Sequence, residues 1–507
     1  MSGKKTGKPI QAPKGTRDLY PEDALRRRYV QQAWRDASIR CGFDEIAGPT
    51  FETSELYAVK SGEGILSELF QAYSGKSPDE VEQVQQSGRA PYAMRPEFTP
   101  TLARMYAAKA GSLPRPCKWF TAGPYFRAER PQRGRLREFE QWNVDVIGLP
   151  ENEDGTLVKA EVDAECAACG VRLLEDLGLT PGAVRLKIGH RAFWNALLVT
   201  QLRMSADQTT TALALLDKLP KIPREKWVIE ASAAGMAPNQ ISGILNVIDR
   251  AAEPTELDAF LDDAKSDETR PFFKLAASLE HEHVAEWGAY DLSIVRGLAY
   301  YTGTVFELIA EGERAVAGGG RYDNLIELMG GPPTPAVGFA MGDVVLSLLL
   351  DDKGLMPAGV DLLDAVSRPA ASVRPDVFVI GADDDETDPL VRRLAADLRR
   401  GVESRRWAES DERRPWARDR YDVDPLHARV SYKSTRNLKK LLSDGEKQLA
   451  RYAAIVHGAD RVQLRDLDAR SELTPRDVPG MDDGIAEFSV VPDHPAYVGR
   501  AVAALVS

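Results

Sequence analysis

The residues best suited to chemistry in this sequence are five arginines crowded into residues 125–145, YFRAERPQRGRLREFEQWNVD. They are Arg127, Arg130, Arg133, Arg135 and Arg137. A guanidinium group stays charged at any working pH and binds phosphate or carboxylate oxygens through two parallel hydrogen bonds. The cluster therefore indicates a site that neutralises a polyphosphate and holds it bent. A solvated, charged hairpin is the alternative.

Two strands are predicted to carry this loop. An apolar run, CKWFTAGPYF, precedes the arginines, and an alternating run, FEQWNVDVIG, follows them. Side chains alternate along a strand, so Gln141 and Asp145 should share one face, with Trp142 and Val144 on the other. Facing inward, the polar pair would need partners, because an unpaired buried polar group costs about 1–3 kcal/mol. A polar ligand would supply them; a water-exposed sheet face is the alternative.

The segment RPEFT at residues 95–99 offers an acid and a hydroxyl group two residues apart. In an extended segment, Glu97 and Thr99 point to the same side, where together they could bind an ammonium or a heterocyclic N–H group. Thr99-Pro100 also predicts the start of a helix. In the alternative interpretation, Thr99 caps that helix and Glu97 is solvated.

A third group of residues combines a cation with two phenols. Arg296 and Gly297 precede Tyr300 and Tyr301, whose rings could flank a flat ligand. The alternative is a packed strand with a β-bulge at Gly297 and an aromatic core. Downstream, GGGRYDNL predicts a Gly-rich turn followed by a helix.

The elements that must position these residues follow from hydrophobic periodicity and from Gly and Pro. Helices are predicted over residues 21–40 and 157–178, and a surface loop over 74–90. Residues 200–285 are rich in Ala and Leu, with Pro breaks, and predict a helical insertion between two sheet-forming halves. Residues 357–375 predict a linker. After it, short buried strands alternate with helices, which is typical of a small α/β domain.

Composition limits the class of protein. The chain has 507 residues, a net charge of −12 and four cysteines. This predicts several domains, no DNA partner, local basic patches for any RNA, and a reducing compartment. No apolar run reaches membrane-spanning length, and no apolar segment follows the basic start, so neither a membrane partner nor secretion is predicted. Cys166 and Cys169 form CAAC, interpreted as small helix-face residues rather than a redox or metal site.

Together the motifs resemble those of histidyl-tRNA synthetases, which are class II aminoacyl-tRNA synthetases. The strings are PKGTRDLYPED, RPEFT, YFRAERPQRGRLREFEQ, RGLAYYTGTVFE, GGGRYDNL, PAVGFAMG and, near the C-terminus, STRNLKKLLSDGEKQLARYAAIVHG. The resemblance implies an α+β fold: a class II antiparallel sheet flanked by helices, a helical insertion, and a C-terminal α/β anticodon-binding domain. The implied boundaries are 1–199 and 286–360 for the catalytic core, 200–285 for the insertion and 375–507 for the C-terminal domain.

The resemblance also implies an activity and a set of site residues. The chain would activate L-histidine with ATP and Mg²⁺ and transfer it to tRNA(His), as a cytoplasmic homodimer. Arg127 and Arg296 would be the catalytic cations on the α-phosphate. The implied histidine-binding residues are Glu97, Thr99, Arg127, Gln141, Asp145, Arg296, Tyr300 and Tyr301. The ATP-binding residues would be Arg127, Glu129, Arg135 and, just after the glycines, Arg321.

Four positions depart from the family pattern. Phe98 stands where a Gly is usual, Ala299 replaces an Asp, and GFAMGDVVL places Val344 and Val345 where Glu-Arg is usual. The last change removes an arginine that contacts ATP. Two alternatives remain at this point: a regulatory subunit of ATP phosphoribosyltransferase, which is a paralogue, and a degenerate RNA-binding or sensor protein.

Overall fold

The computed structural model describes most of the chain. The described ranges are 10–61, 69–150, 155–219, 222–250, 270–295, 300–310, 315–367, 372–382, 387–410, 414–417, 419–433, 435–482 and 484–506. Arg296 and Gly297, predicted to be site residues, lie outside these ranges.

The strands fall into two larger sheets and two small ones. In chain order they are β1 Asp44–Glu45, β2 Phe51–Thr53, β3 Gln71–Ala72, β4 Tyr92–Met94, β5 Cys117–Phe126, β6 Glu138–Ile147, β7 Val184–His190, β8 Gly288–Tyr290, β9 Thr304–Ala310, β10 Ala315–Arg321, β11 Ala336–Gly342, β12 Val377–Gly381, β13 Val402–Glu403, β14 Tyr421–Val423, β15 Ala428–Val430, β16 Tyr452–Gly458, β17 Arg461–Asp466 and β18 Ser471–Leu473.

Helices lie between and over these strands. They are α1 Pro21–Arg40, α2 Ser54–Ser61, α3 Pro78–Ser87, α4 Thr99–Ala107, α5 Gly155–Asp176, α6 Arg191–Ala196, α7 Ala206–Leu216, α8 Arg224–Ala233, α9 Pro238–Arg250, α10 Arg270–His281, α11 Leu325–Leu328, α12 Asp343–Asp352, α13 Gly359–Val366, α14 Asp388–Arg400, α15 Arg405–Ala408, α16 Leu438–Lys447 and α17 Val498–Val506. None of those described is both long and apolar enough to span a bilayer.

The large sheet has the order β1-β5-β6-β11-β10-β9-β7-β8. Its pairs are antiparallel except at the two edges, where β1 runs parallel to β5 and β8 parallel to β7. Strands from before and after the helical segment meet in its centre, where β6 pairs with β11. The sheet thus brings together motifs that are some 200 residues apart in the sequence.

One face of this sheet is closed by α1 and α5. Trp142 of β6 stacks on Trp34 of α1 at 6.3 Å between ring centroids, and its indole N–H donates to Ser38 Oγ at 2.8 Å. Cys166 and Cys169 of α5 are fully buried in the same core, as small helix-face residues. Because alternate residues of β6 are committed to this core, the remaining ones face the other side of the sheet.

The predicted helical segment is confirmed in its described part. Ser205 begins α7 with a capping box, in which its hydroxyl accepts from the Gln208 N–H and the Gln208 side chain accepts from the Ser205 N–H. Pro223 precedes α8 and Pro238 is the first residue of α9. Both positions suit proline, because the first turn of a helix leaves its N–H groups without intrahelical partners. Pro220 and Pro254 lie outside the described residues.

The C-terminal sheet has the order β15-β12-β16-β17-β18. The strand β12 runs parallel to both β15 and β16, and helices α14 and α17 pack against the sheet. The predicted strands DVFVIG and YAAIVHG are its buried centre. The α+β fold class with a C-terminal sheet domain is confirmed.

Three local predictions are wrong. Residues 74–90, predicted as a loop, contain α3, which Ser77 caps and Gly88 ends in a left-handed conformation. Residues 318–320, predicted as a turn, belong to strand β10, where glycine fits because β9 and β11 press closely on both sides. The predicted linker 357–375 contains α13, whose apolar side packs on α1.

Candidate active site

Two adjoining cavities lie against the large sheet. The smaller, of about 70 Å³, is named the amino-acid cavity after the ligand that the sequence resemblance implies, and it is lined by Glu97, Thr99, Arg127, Gln141, Asn143, Tyr300, Tyr301, Gly318, Tyr322, Gly338, Phe339 and Ala340. The larger, of about 830 Å³, is named the nucleotide cavity on the same ground, and it is lined by Arg127, Gly134, Arg135, Leu136, Phe139, Gln141, Glu307, Ile309, Ala315, Val316, Ala317, Gly318, Ala340, Gly342, Val344 and Val345. Arg127, Gln141, Gly318 and Ala340 line both, so the cavities meet at these four residues.

A row of polar side chains lies on one face of β6, of which Gln141 and Asn143 line the amino-acid cavity and Asp145 lines neither cavity. Gln141, Asn143 and Asp145 alternate with the core residues Trp142 and Val144, as the strand pattern predicted for Gln141 and Asp145. The three polar residues are only 2–3% exposed. The water-exposed face that was the alternative is therefore excluded. Among them, Gln141 Nε2 donates to Asn143 Oδ1 at 2.8 Å.

Asp145 is held at the inner end of this row. The phenol of Tyr322 donates to Asp145 Oδ1 at 2.5 Å. Burial first, and the neighbouring Asp145 carboxylate second, raise the pKa of Tyr322 well above its usual value, so the phenol keeps its proton. Across the strand pair, a Cβ added to Gly338 would lie 1.9 Å from Asp145 Oδ1. Glycine is thus required there to leave space for the carboxylate.

The segment that carries Glu97 and Thr99 is fixed by Arg95. The Arg95 guanidinium is buried, donates to Pro124 O at 2.9 Å and Gly48 O at 3.2 Å, and lies 4.5 Å from the Tyr125 ring centroid. Thr99 is the first residue of α4, and the helix begins without a side-chain cap. The interpretation of Thr99 as a cap is therefore wrong. Glu97 and Thr99 both line the amino-acid cavity, which is the predicted arrangement.

Aromatic rings form the opposite wall. The rings of Tyr300 and Tyr301 are 4.7 Å apart between centroids, at 41° to each other. Tyr322 meets Tyr300 edge-on at 6.0 Å. Three tyrosine side chains thus border one small cavity that Glu97 also lines. Such a combination suits a flat polar ring with N–H groups.

Arg127 is oriented by the chain around it. Its Nε donates to Pro96 O at 3.1 Å, and its guanidinium carbon lies 5.1 Å from the Phe139 ring centroid. These two contacts fix the plane of the guanidinium at the junction of the two cavities. A cation held there can contact a carboxylate in one cavity and a phosphate in the other.

Arg135 belongs to the loop that overhangs the nucleotide cavity. Its backbone exchanges two hydrogen bonds with Gln132, at 3.0 and 2.9 Å, which closes the loop into a tight hairpin. Its guanidinium pairs with Glu129 Oε2 at 2.5 Å. Arg135 lines the nucleotide cavity, whereas its ion-pair partner Glu129 does not.

Comparison with known proteins decides the family. The family model for histidyl-tRNA synthetase matches residues 15–343. A histidine–tRNA ligase of Haloarcula marismortui is 34% identical, over 91% of this chain and 94% of the relative. One of Opitutus terrae is 36% identical, over 70% of this chain and 78% of the relative. This chain belongs to the histidyl-tRNA synthetase family. It is therefore an aminoacyl-tRNA ligase, as the motifs implied.

The fold agrees with that of a histidyl-tRNA synthetase already solved. The crystal structure of the enzyme from a Nostoc species has a TM-score of 0.56, with 92% of this chain and 96% of that chain covered, at 21% identity. At this level of identity the likeness concerns the fold alone. It confirms the class II architecture that the motifs implied.

Three predicted site residues of the histidyl-tRNA synthetase pattern, Glu129, Asp145 and Arg321, line neither cavity, and Arg321 lies on the other side of the sheet. Arg321 lines neither cavity; its guanidinium donates to Asp163 Oδ1 at 2.6 Å and to Asp323 Oδ1 at 3.1 Å. Asp163 belongs to α5, on the core side of the sheet. Arg321 is 2% exposed and ties β10 to that helix. This placement does not support the prediction that Arg321 binds ATP, because the guanidinium is buried away from both cavities. Nothing in the sequence near Arg321 indicated that its partner would be the distant carboxylate of Asp163.

Other lining residues were missed from the sequence. Asn143 lies between Gln141 and Asp145, and the alternation that selected those two also places Asn143 on their face. Tyr322 was part of GGGRYDNL but received no role of its own. Glu307, on the wall of the nucleotide cavity, lies in β9 and is the last residue of the string RGLAYYTGTVFE. Val344 and Val345, which depart from the histidyl-tRNA synthetase pattern, do line the nucleotide cavity.

Proposed function

We propose that this histidine–tRNA ligase forms histidyl-adenylate where its two cavities meet, and then transfers histidine to the 3′ end of tRNA(His). The observation that carries the proposal is that Arg127 lines both cavities. A histidine carboxylate in the smaller cavity and the α-phosphate of ATP in the larger would reach the same guanidinium. Attack of that carboxylate on the α-phosphorus expels pyrophosphate and requires no proton transfer. Positioned cations and alignment are then the main needs of the step.

The amino-acid cavity suits histidine group by group. Glu97 and Tyr300 would bind the imidazole, with Tyr301 as the adjoining wall. Glu97 would discriminate against other side chains, because a carboxylate left without a donor in a closed pocket is costly. Thr99, Gln141 and Asp145 would bind the α-ammonium group, for which they offer oxygen acceptors.

The nucleotide cavity has the size of ordinary ligand sites, which range over roughly 300–1,000 Å³. Arg135 would hold the β- and γ-phosphates, and Glu129 the adenine amino group. Because these two side chains are paired at 2.5 Å, binding of ATP must exchange that contact for contacts with the nucleotide. Arg296 would act on the α-phosphate from the side opposite Arg127.

Mg²⁺ would enter with ATP. This cation retains several waters and commonly takes one or two carboxylates together with substrate phosphates. Glu307 is a carboxylate on the wall of the nucleotide cavity and fits that pattern. The ion would neutralise phosphate charge as pyrophosphate leaves. Within the described residues, no cluster of three or more ligating side chains forms a metal site by itself.

A homodimer is supported by an exposed apolar surface on the small sheet. The small sheet of β2, β4 and β3 bears the exposed rings of Phe51 and Tyr92, in edge contact at 5.8 Å, with Tyr73 close by. Exposed aromatic clusters of this kind are typical of protein interfaces. Light scattering should give twice the chain mass of 55.7 kDa.

The remaining assignments follow from the family. The C-terminal domain, 375–507, would bind the anticodon, and 200–285 would be an insertion between the core segments 1–199 and 286–360. Four free, buried cysteines accord with a cytoplasmic location.

Aminoacylation of total tRNA with each of the twenty amino acids in turn tests the proposed function. Histidine alone should be attached, and only to tRNA(His). A regulatory paralogue or an RNA-binding sensor would attach none. Attachment of a different amino acid would refute the assignment of the amino-acid cavity.

A further inference from the structure

Asn143 is a buried polar residue of the amino-acid cavity with no role in the scheme above. It is 2% exposed, lines that cavity and does not line the nucleotide cavity. Its strand neighbours are Thr121 on β5 and Ala340 on β11. The small Ala340 side chain leaves the floor of the cavity to the polar row of β6. Asn143 is thus in the middle of the surface on which the α-amino group would rest.

The hydrogen bond between Gln141 and Asn143 fixes the orientation of an amide. A glutamine side chain has an NH₂ group, which only donates, and a carbonyl oxygen, which only accepts. Here Gln141 Nε2 donates to Asn143 Oδ1 at 2.8 Å. The carbonyl oxygen of Gln141 is on the other branch of the same planar group and is therefore turned away from Asn143. Rotation of the amide by 180° would replace this bond with two facing carbonyl oxygens.

The orientation of the Gln141 amide decides whether it can accept a hydrogen bond from an ammonium group of the ligand. An ammonium group donates three hydrogen bonds and requires acceptors. A glutamine that presented its NH₂ group would repel it, whereas the carbonyl oxygen attracts it. Gln141 lies where the cavities meet, beside Arg127, so its orientation also bears on the alignment of the adjacent carboxylate.

We propose that Asn143 is a positioning residue for histidine activation, which holds the Gln141 amide so that its carbonyl oxygen accepts from the α-ammonium group. The inference rests on the proposed function. Asn143 acts through Gln141, and its contribution should therefore appear only with ligands that carry an amino group. A purely structural role in the sheet would affect all ligands of the cavity alike.

The test compares two inhibitors of histidine-dependent pyrophosphate exchange. Histidinol keeps the imidazole and the amino group, whereas 3-(imidazol-4-yl)propionate keeps the imidazole and the carboxylate but lacks the amino group. In the full-length protein, Asn143→Ala should weaken histidinol roughly tenfold, the effect of one lost hydrogen bond to this ligand, and leave the propionate unchanged. The KM for ATP should not change. Asn143→Asp retains an acceptor at the same atom and should restore histidinol binding.

The outcomes distinguish failure of the proposed function from failure of the positioning role of Asn143. If the unaltered protein shows no histidine-dependent exchange, the proposed function fails. If it is active but Asn143→Ala weakens both inhibitors equally, or neither, the positioning role is refuted. Failure of Asn143→Asp to restore histidinol binding would also refute it. Melting temperatures of both variants check folding, and the Asp variant keeps the test decisive if the Ala variant does not fold.

Discussion

At the scale of single residues, the chemistry depends on side chains whose orientation is fixed by neighbours distant in sequence. Arg127 is bound to Pro96 O and packed on Phe139 before any ligand arrives. Such preorganisation is effective, because the cation need not reorganise as charge develops in the transition state. Removal of a catalytic cation should therefore lower the rate of adenylate formation more than the affinity for the amino acid.

Arg296 provides the first prediction. Arg296→Ala should keep histidine binding within about twofold and reduce adenylate formation by roughly 10²–10³-fold, the typical cost of one lost electrostatic stabiliser of a transition state. Single-turnover adenylate formation measures the rate, and calorimetric titration with histidine measures the binding. Equal rates for the variant and the parent protein would show that Arg296 lies away from the reacting groups.

At this scale, the position of a side chain could be predicted from the sequence where local backbone geometry determines it. Alternation along a strand placed Gln141 and Asp145 on one face, since the period of a strand is fixed by its backbone. The position of Arg321 could not be predicted, because the sequence around a lone arginine after a Gly run does not indicate which carboxylate will pair with it. That partner, Asp163, is 158 residues earlier in the chain. Long-range charge pairing has no local signature.

At the scale of elements, β6 and β11 form the floor of the site together. The strand β11 contributes glycine and alanine opposite each polar residue of β6: Gly342, Ala340 and Gly338 face Gln141, Asn143 and Asp145. Small residues on one strand leave the space that polar side chains and a ligand occupy. This pairing follows from the register of the two strands and could not be predicted from the sequence AVGFAMG alone.

Gly338→Ala tests that arrangement. The added methyl group would overlap Asp145 Oδ1, so the strand pair or the carboxylate must shift, at a cost of about 1–3 kcal/mol. The variant should show a lower melting temperature and a higher KM for histidine. Gly342→Ala, on the same strand with no atom within 4 Å of the added group, is the matched control for stability. A Gly338→Ala protein that is as stable as this control and has the parent protein's KM for histidine would contradict the packing described.

Two of the elements predicted incorrectly were missed for different physical reasons. The helix α3 is polar almost throughout, with no buried residue, so periodicity could not reveal it. Its only signals were the cap at Ser77 and the terminal Gly88. In β10, glycine serves close packing between strands rather than a turn, as the overlaps at Gly319 and Gly320 demonstrate. Tertiary contacts therefore overrode local propensity in β10, whereas α3 gave only weak local signals.

At the scale of the whole molecule, α5 joins the catalytic sheet to the C-terminal domain. Its buried Glu165 accepts a hydrogen bond from Lys118 Nζ of β5 at 2.7 Å. It also accepts two from the C-terminal domain, from Arg399 Nη1 at 3.3 Å and from the Tyr432 hydroxyl at 3.0 Å. One carboxylate thus holds groups from both domains. The adjacent Glu161 pairs with Arg392, again across the two domains. The docking of the C-terminal domain therefore depends on charges that are excluded from water.

Glu165 gives the domain docking a pH dependence. Burial alone would raise its pKa, but Lys118 and Arg399 outweigh burial and hold it below the usual 4.5. A carboxylate with a lowered pKa stabilises the folded state fully above its unfolded pKa, and this contribution is lost as the pH falls below about 4.5 towards the folded value. Glu165→Gln lacks the contribution at every pH and leaves Lys118 and Arg399 without their anion.

The difference in melting temperature between the parent protein and Glu165→Gln should depend on pH. Relative to Glu165→Gln, the parent protein should have a higher melting temperature by a constant amount above pH 5, and this advantage should shrink as the pH falls towards 3. His190 and His427, whose pKa values burial lowers to about 3, titrate in both proteins and largely cancel. An advantage that grew on acidification would mean that Glu165 is protonated in the folded protein.

Histidine-dependent exchange of labelled pyrophosphate into ATP tests the central claim most directly, namely that the two cavities share one cation. Arg127→Ala should lower the exchange rate by about 10²–10³-fold. Arg133→Ala is the matched control from the same loop, because Arg133 is 66% exposed, pairs with Asp352 and lines neither cavity. That variant should retain the parent rate. Exchange by Arg127→Ala at the rate of the Arg133→Ala control would contradict the account.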